Sequence, residues 1–219
     1  MPFATSPISR FAPGSGSVHR CDSALLTKTP VAPTTPHPLE DAFADLFLVL
    51  NQLPFPYCLL GALALGAWGN PRTTQDLDAM VAMNDDDRPR LLAALHAKGF
   101  VEDLHWGESN PMIRSHHIRL RRETVPVDLM FPRDDHDQAC LSRRRQYELG
   151  NLSLWIISPE DFVLHKLKAG RAQDFIDVLS VLQRQATSLD RSYITDWAKR
   201  LGISEEWQYV QTHSDTPSS

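Results

Sequence analysis

The sequence predicts an α/β (α+β) fold, a mixed sheet flanked by helices and completed by a helical C-terminal segment. Three observations carry this. Strand-length apolar runs occur at Cys58-Leu59-Leu60, at Asp76 to Val81, at Val125 to Phe131 and at Leu152 to Ile157. Between them lie stripes of helical period: Leu39, Phe43, Leu46, Phe47 and Leu50, then Leu91, Leu92 and Leu95. Beyond residue 158 the strand signals stop and helix signals follow one another.

The elements follow in order. Residues 1–38 hold seven of the sixteen prolines, mixed with Ser, Thr and Gly, and are expected to form a disordered arm. Pro38-Leu39-Glu40-Asp41 opens a helix that ends near Leu53, before Pro54-Phe55-Pro56. The first strand stops at Gly61-Ala62, a short helix runs to about Trp68, and Gly69-Asn70-Pro71 breaks it. The Asp76–Val81 strand is followed by a helix closing at Gly99 and a short strand at Phe100-Val101. Ile113 to Leu120 and Val125 to Phe131, joined by Arg121-Arg122-Glu123-Thr124, read as an antiparallel hairpin. Asp134 to Arg145 reads as a helix and Leu152 to Ile157 as a strand. Ser158-Pro159-Glu160-Asp161 combines an N-cap, Pro at the first helical position and a capping-box acid. Its helix reaches about Ala169. The next runs from Arg171 to Gln185 with Phe175, Val178, Leu179 and Leu182 as its core face, and two shorter ones follow. The expected organisation is an arm over 1–38, an α/β core over 39–157, a helical segment over 158–212 and a polar tail over 213–219.

Composition narrows the function classes. Of 219 residues, 42% are hydrophobic and 22% charged, as in a globular protein, and the net charge of −5 supplies no overall basic field for nucleic acid. Cys21, Cys58 and Cys140 lack metal-ligand spacing, so neither structural zinc nor a disulfide framework is expected, and the setting is read as cytoplasmic. No signal-peptide pattern and no apolar run of about 18 residues suggests a membrane association.

The chemistry concentrates in residues 58–82. Residues i and i+2 of a strand face the same way, so Asp76 and Asp78 present two carboxylates on one face with Leu77 turned inward. Two such charges about 5 Å apart repel by roughly 3 kcal/mol at an effective dielectric of 20. A divalent cation is the simplest offset. Asp128 sits inside the apolar run Val127 to Phe131, where a lone charge is costly to bury. If its strand lies beside Asp76–Val81, three carboxylates converge, an oxygen-only set suited to Mg²⁺ or Mn²⁺. Gly61-Ala62, at a strand-to-helix turn, offers free N–H groups at the positive end of a helix dipole, a cradle for phosphate.

These residues resemble the signature of the DNA polymerase β-like nucleotidyltransferase superfamily. Here it reads Leu60-Gly61-Ala62, thirteen residues, then Asp76-Leu77-Asp78, with Asp128 as the later strand acid. The lead-in Arg72-Thr73 before Asp76 and the segment from Ser158 to Leu182 resemble the AbiEii-like and MenT-like nucleotidyltransferase toxins more narrowly, over about residues 45–185. The resemblance implies that Asp76, Asp78 and Asp128 are catalytic and hold the metal, with Gly61 and Ala62 holding the triphosphate. It also implies that Arg72, Thr73, Lys166, Arg171 and Asp174 lie near the nucleotide. An NTP would donate its NMP to an acceptor hydroxyl, for the toxin branch the 3′ end of tRNA, with a cognate antitoxin as partner. One departure is Ala62, where the pattern usually has Gly or Ser; alanine keeps the N–H and loses a hydroxyl. Two alternatives stand beside this: an aminoglycoside-type transferase acting on a small molecule, and a catalytically silent nucleotide-binding regulatory module.

Other candidates read more plainly. His116 and His117 are adjacent on a strand and face opposite sides, so they do not readily share a metal. Arg119, Arg121, Arg122 and the run Arg143-Arg144-Arg145 form either a solvated face or a surface for RNA phosphates. Trp106 and Trp155 are expected to pack rather than to stack on bases.

Overall fold

The computed structural model describes residues 38–150 and 152–214. The expected N-terminal arm, Pro38 apart, and the end of the tail lie outside the described residues.

The chain begins with α1 (Pro38–Gln52), β1 (Tyr57–Leu59), α2 (Gly61–Trp68) and β2 (Leu77–Val81). Then come α3 (Arg88–His96), β3 (Val101–Glu102), α4 (Leu104–Ser109), β4 (His117–Arg122) and β5 (Val125–Met130). It continues with α5 (Asp135–Ser142), β6 (Arg145–Leu149) and β7 (Leu152–Ile156), and ends in α6 (Pro159–Ala169), α7 (Ala172–Arg184), α8 (Arg191–Leu201) and α9 (Ser204–Ser214). The seven strands form one mixed sheet in the order β3-β4-β5-β2-β1-β7-β6. β2 runs parallel to β5 and β1 parallel to β7, and the other neighbours are antiparallel.

Strand alternation sorts the side chains onto two faces. Leu77, Ala79 and Val81 of β2, Val127 and Leu129 of β5, and Ile118 and Leu120 of β4 pack against Leu46 and Leu50 of α1 and Leu91 and Leu95 of α3. On the other face Cys58, Leu60 and Met80 join Phe162, Val163 and Leu167 of α6 and Val178 and Val181 of α7. The helical C-terminal segment thus shares a core with the central strands and walls the face that carries Asp78 and Asp128. α6 starts as its sequence predicts: the Ser158 side chain accepts from the Asp161 N–H at 3.1 Å, and Pro159 is the first helical residue. Gly170, at φ +66°, closes it.

Two local expectations are corrected, and two elements, β6 and α4, were not expected. β4 begins at His117 rather than Ile113, because Asn110 to His116 closes local turns instead, with the Ile113 N–H on the Asn110 carbonyl and the His116 N–H on that of Ile113. The helix expected to reach Arg145 ends at Ser142, and Arg145 opens β6. β6 is an exposed edge strand, so Arg145-Gln146-Tyr147-Glu148 shows no apolar alternation. α4 has no buried residue and so no periodic stripe; it is held by Asp103, which accepts from the Trp106 N–H at 3.0 Å.

Candidate active site

Register builds the carboxylate group. In the parallel β2–β5 pair Asp78 lies directly beside Asp128. Asp76 immediately precedes β2 on the same face. One carboxylate oxygen from each of Asp76, Asp78 and Asp128 lies within 4.8 Å of the others. Asp128 is buried, Asp78 is half-buried, and Asp76 is the most open. Burial pushes the Asp78 carboxyl up to about 6, and the charges of Asp76 and Asp128 add to the rise against an opposing pull from Lys166 and His117. Burial also pushes Asp128 upward, but hydrogen bonds from His117 and Arg119 outweigh it and hold that carboxyl below its usual range. The Thr74 hydroxyl donates to Asp76 Oδ1.

The β1–α2 turn is fitted against this group. The Leu60 N–H donates to the Asp78 carbonyl at 2.9 Å. Gly61 follows at φ +55°, and a Cβ placed on it would lie 2.0 Å from Asp78 Oδ2. Glycine is therefore required twice here, for the left-handed backbone and for the close approach of the carboxylate. The first N–H groups of α2, at Gly61 and Ala62, have no intrahelical acceptor and border the same cleft. At the far end of α2, Trp68 Nε1 donates to the Ile157 carbonyl at 2.8 Å and ties the helix to the start of α6.

A cleft of about 410 Å³ runs from the Gly61 turn across the three carboxylates to α6 and the start of α7. Its cations are already engaged. Lys166, buried on α6, donates to Asp174 at 2.9 Å and to Asp177 at 2.8 Å. Arg171 bonds Asp174 at 2.7 Å, and Arg72 forks onto Asp177 at 3.1 and 3.2 Å. Burial pushes Asp174 and Asp177 upward, yet these donors hold both below the usual carboxylate range. Arg119 forks onto Asp128 at 2.8 and 2.6 Å, and His117 Nε2 meets the same carboxylate at 2.9 Å. Asp76 and Asp78 form no ion pair among the described residues. His165 also lines the cleft; burial pushes its imidazole down to about 4, so it adds no positive charge near neutrality.

Gly61, Ala62, Arg72, Asp76, Asp78, Asp128, Lys166, Arg171 and Asp174 thus come together around one cleft. Thr73 does not; it is exposed, and Thr74 borders the cleft in its place. Lys166 and Arg171 are members of a network with two aspartates rather than free cations. Sequence reasoning missed His117 and Arg119, which a solvated basic run had concealed. The signal was present in the alternation of His117 and Arg119 with the apolar Ile118 and Leu120, on a strand hairpinned to Asp128.

A second cluster, His136, Cys140 and Asp161, is wholly buried. Cys140 Sγ lies 3.9 Å from Nδ1 and 3.8 Å from Nε2 of His136, and near-equal distances place it off either nitrogen's in-plane lone-pair direction. Asp161 is occupied by Ser158, Tyr193 and Arg143. This is a packed polar network beneath α6 and α8.

No protein-family model matches the sequence, and no curated protein matches it. Solved structures do share its fold. The solution structure of the antibiotic-resistance factor ANT(2'')-Ia aligns at a TM-score of 0.50 with 11% identity, covering 78% of this chain and 94% of the other. ANT(2'')-Ia in complex with adenylyl-2''-tobramycin aligns at 0.50 with 10% identity, covering 75% and 96%. The lincosamide adenylyltransferase LnuA, lincomycin-bound, aligns at 0.48 with 14% identity, over 65% and 95%. At these identities the likeness shows the fold alone, the one shared with the two ANT(2'')-Ia structures.

Proposed function

We propose that this chain is a divalent-metal-dependent nucleotidyltransferase that moves an NMP from an NTP to an acceptor hydroxyl. The observation that carries the reading is the convergence of Asp76, Asp78 and Asp128, within 4.8 Å, against the Gly61 turn. The donor set fits Mg²⁺ or Mn²⁺: three carboxylates, two of them without an ion pair among the described residues, and one raised to about 6 by burial and by its two neighbouring acids. Asp76, Asp78 and Asp128 would hold the cation. When bound, it would supply charge neutralisation for the phosphates and for the departing pyrophosphate. The chain's own residues do the rest. The N–H groups of Gly61 and Ala62 receive phosphate oxygens at the α2 N-terminus. Arg72, Lys166 and Arg171 supply positive potential along the opposite wall. Ala62 leaves the backbone donor in place.

The toxin-branch resemblance makes the 3′ end of tRNA one acceptor, with an antitoxin as partner. A small-molecule acceptor, as for the aminoglycoside-type enzymes, is the alternative. Of the basic side chains an RNA surface would use, Arg121 pairs with Asp103, Arg122 with Asp45 and Arg143 with Glu160 and Asp161, while Arg145 is exposed, so the two acceptor classes stand level. The test is incubation with labelled NTPs and Mg²⁺ in the presence of total tRNA or of an aminoglycoside and lincosamide panel, beside Asp76→Ala. Label on one acceptor class that vanishes in the variant identifies the acceptor. Tight NTP binding with no transfer to any acceptor would replace this reading by that of a silent nucleotide-binding module.

A further inference from the structure

Asp128 differs from its two companions in how its oxygens are used. Arg119 stands directly opposite it in the antiparallel β4–β5 pair, so the backbone register aims the guanidinium fork at the carboxylate. Arg119 Nε reaches Oδ1 at 2.8 Å and Nη2 reaches Oδ2 at 2.6 Å. His117, two residues earlier on the same face, brings Nε2 to Oδ1 at 2.9 Å. A carboxylate has about four acceptor positions. Three are taken, and both on Oδ1 are filled. The Asp76 carboxylate, by contrast, meets only the neutral Thr74 hydroxyl among the described residues.

The fork also has somewhere else to go. Arg119 Cζ lies 5.1 Å from the centroid of the Trp106 ring on α4, and the Trp106 and His117 rings are 4.5 Å apart. Trp106, His117 and Arg119 border a second cavity of about 320 Å³, adjoining the carboxylate cleft through His117 and Arg119. The Arg119 side chain is 30% exposed, whereas that of Asp128 is 7% exposed, so the arginine is the member of the pair with room to move.

We propose that Arg119 is a positioning residue that competes with the divalent cation for Asp128. The metal completes its ligand set only as the guanidinium, already over the Trp106 ring, leaves Asp128 for the adjoining cavity. A dication and a guanidinium on one buried carboxylate repel each other, and the one acceptor position left is on Oδ2, where Nη2 already sits at 2.6 Å. In the ligand-free protein Arg119 thus holds Asp128 ionised and in place. On metal binding it is released toward the Trp106 cavity, where its charge faces whatever occupies that side of the cleft. The inference rests on the metal-site reading above, and the experiment separates the two.

Mn²⁺ binding is measured by the loss of the free-ion EPR signal for the wild type, Arg119→Gln, Arg119→Lys, Asp128→Asn and the double variant Arg119→Gln/Asp128→Asn, without nucleotide. Competition predicts that Arg119→Gln binds Mn²⁺ about tenfold tighter than the wild type. Arg119→Lys, which keeps the charge and loses the fork, falls between them. In the Asp128→Asn background the gain disappears. Independently, the Nε–Hε resonance of Arg119, assigned by its absence in Arg119→Lys, is slow to exchange in the metal-free protein and loses that protection on saturation with Mg²⁺. Equal or weaker Mn²⁺ binding by Arg119→Gln overturns the proposal and leaves the metal site standing. Absence of Mn²⁺ binding by every protein overturns both. If Arg119→Gln does not unfold cooperatively, the resonance decides: persistence of its protection at saturating Mg²⁺ overturns the proposal.

Discussion

Replacing Gly61 by alanine tests whether the β1–α2 turn is shaped around Asp78. The new Cβ would sit 2.0 Å from Asp78 Oδ2 and 2.9 Å from Cγ. An ordinary contact needs about 3.5 Å, so the carboxylate or the turn must yield by roughly 1–1.5 Å. Two costs add. Holding a non-glycine residue at φ +55° costs about 1–2 kcal/mol, and overpacking against Asp78 costs about 1–3 kcal/mol. The variant should lose about 2–5 kcal/mol in urea unfolding. Displacing a carboxylate by about 1 Å should also lower transfer activity on the order of a hundredfold. The two costs separate in a double-mutant cycle. In Asp78→Ala the two closest atoms, Oδ2 and Cγ, are gone and the retained Cβ of residue 78 lies 3.3 Å away, so Gly61→Ala should then cost mainly the backbone term. The coupling energy should be about 1–3 kcal/mol. An equal cost of Gly61→Ala in both backgrounds would refute the close-approach argument, and full activity in the single variant would refute its link to catalysis.

Lys166→Met leaves Asp174 and Asp177 buried with fewer partners; with Arg171, Arg72 and Gln173 still in place, the loss should be about 3 kcal/mol by urea midpoint, and a loss under about 1 kcal/mol would mean that Lys166 is no strut. Asp78, raised to about 6 by burial and its neighbouring acids, binds its proton more tightly folded than unfolded. Its contribution to stability without metal should therefore be undiminished below about pH 4, fall as pH rises to about 6, and stay flat above, a change of up to about 3 kcal/mol that Asp78→Asn removes. Parallel stability–pH curves for the two proteins would contradict this. Glu123 holds φ +55° in the β4–β5 turn, so Glu123→Gly should raise stability by about 0.5–1 kcal/mol in thermal unfolding, and a fall would show that its side chain contributes more than its backbone costs.

The parts of the site that were legible in the sequence are those fixed by short-range periodicity. Asp76 and Asp78 lie two residues apart, so strand alternation alone put them on one face, and the polar turn at Glu123-Thr124 predicted the hairpin beside Asp128. The parallel contact of β2 with β5 is not encoded locally, because more than forty residues separate the two strands and no nearby signal sets their register. The roles of the cations were illegible for the same reason. Arg72 meets Asp177 across the fold and Lys166 reaches two aspartates on the next helix, so each looked like a free positive charge. α4 and β6 were missed because both are exposed, and an element that buries no face carries no hydrophobic period.

The pairing of charges links the fold to the proposed chemistry. Arg72, Arg119, Lys166 and Arg171 of the cleft all rest on carboxylates, namely Asp177, Asp128, Asp174 with Asp177, and Asp174. Asp76 and Asp78 alone among the cleft acids form no ion pair among the described residues, and they are the pair that strand alternation forces together. A bare cation would find two free carboxylates and a third under an arginine. A bare triphosphate would find backbone N–H groups and cations already paired, with Arg72, Lys166 and Arg171 sharing two aspartates. Each ligand frees or balances what the other needs, so the geometry favours their arrival together. Nucleotide affinity should accordingly depend on the divalent ion far more than it would in a site whose arginines stand free. Calorimetric titration of a non-hydrolysable NTP analogue with Mg²⁺ and with chelator measures that dependence. Equal affinity in both would mean that the paired cations do not govern nucleotide binding.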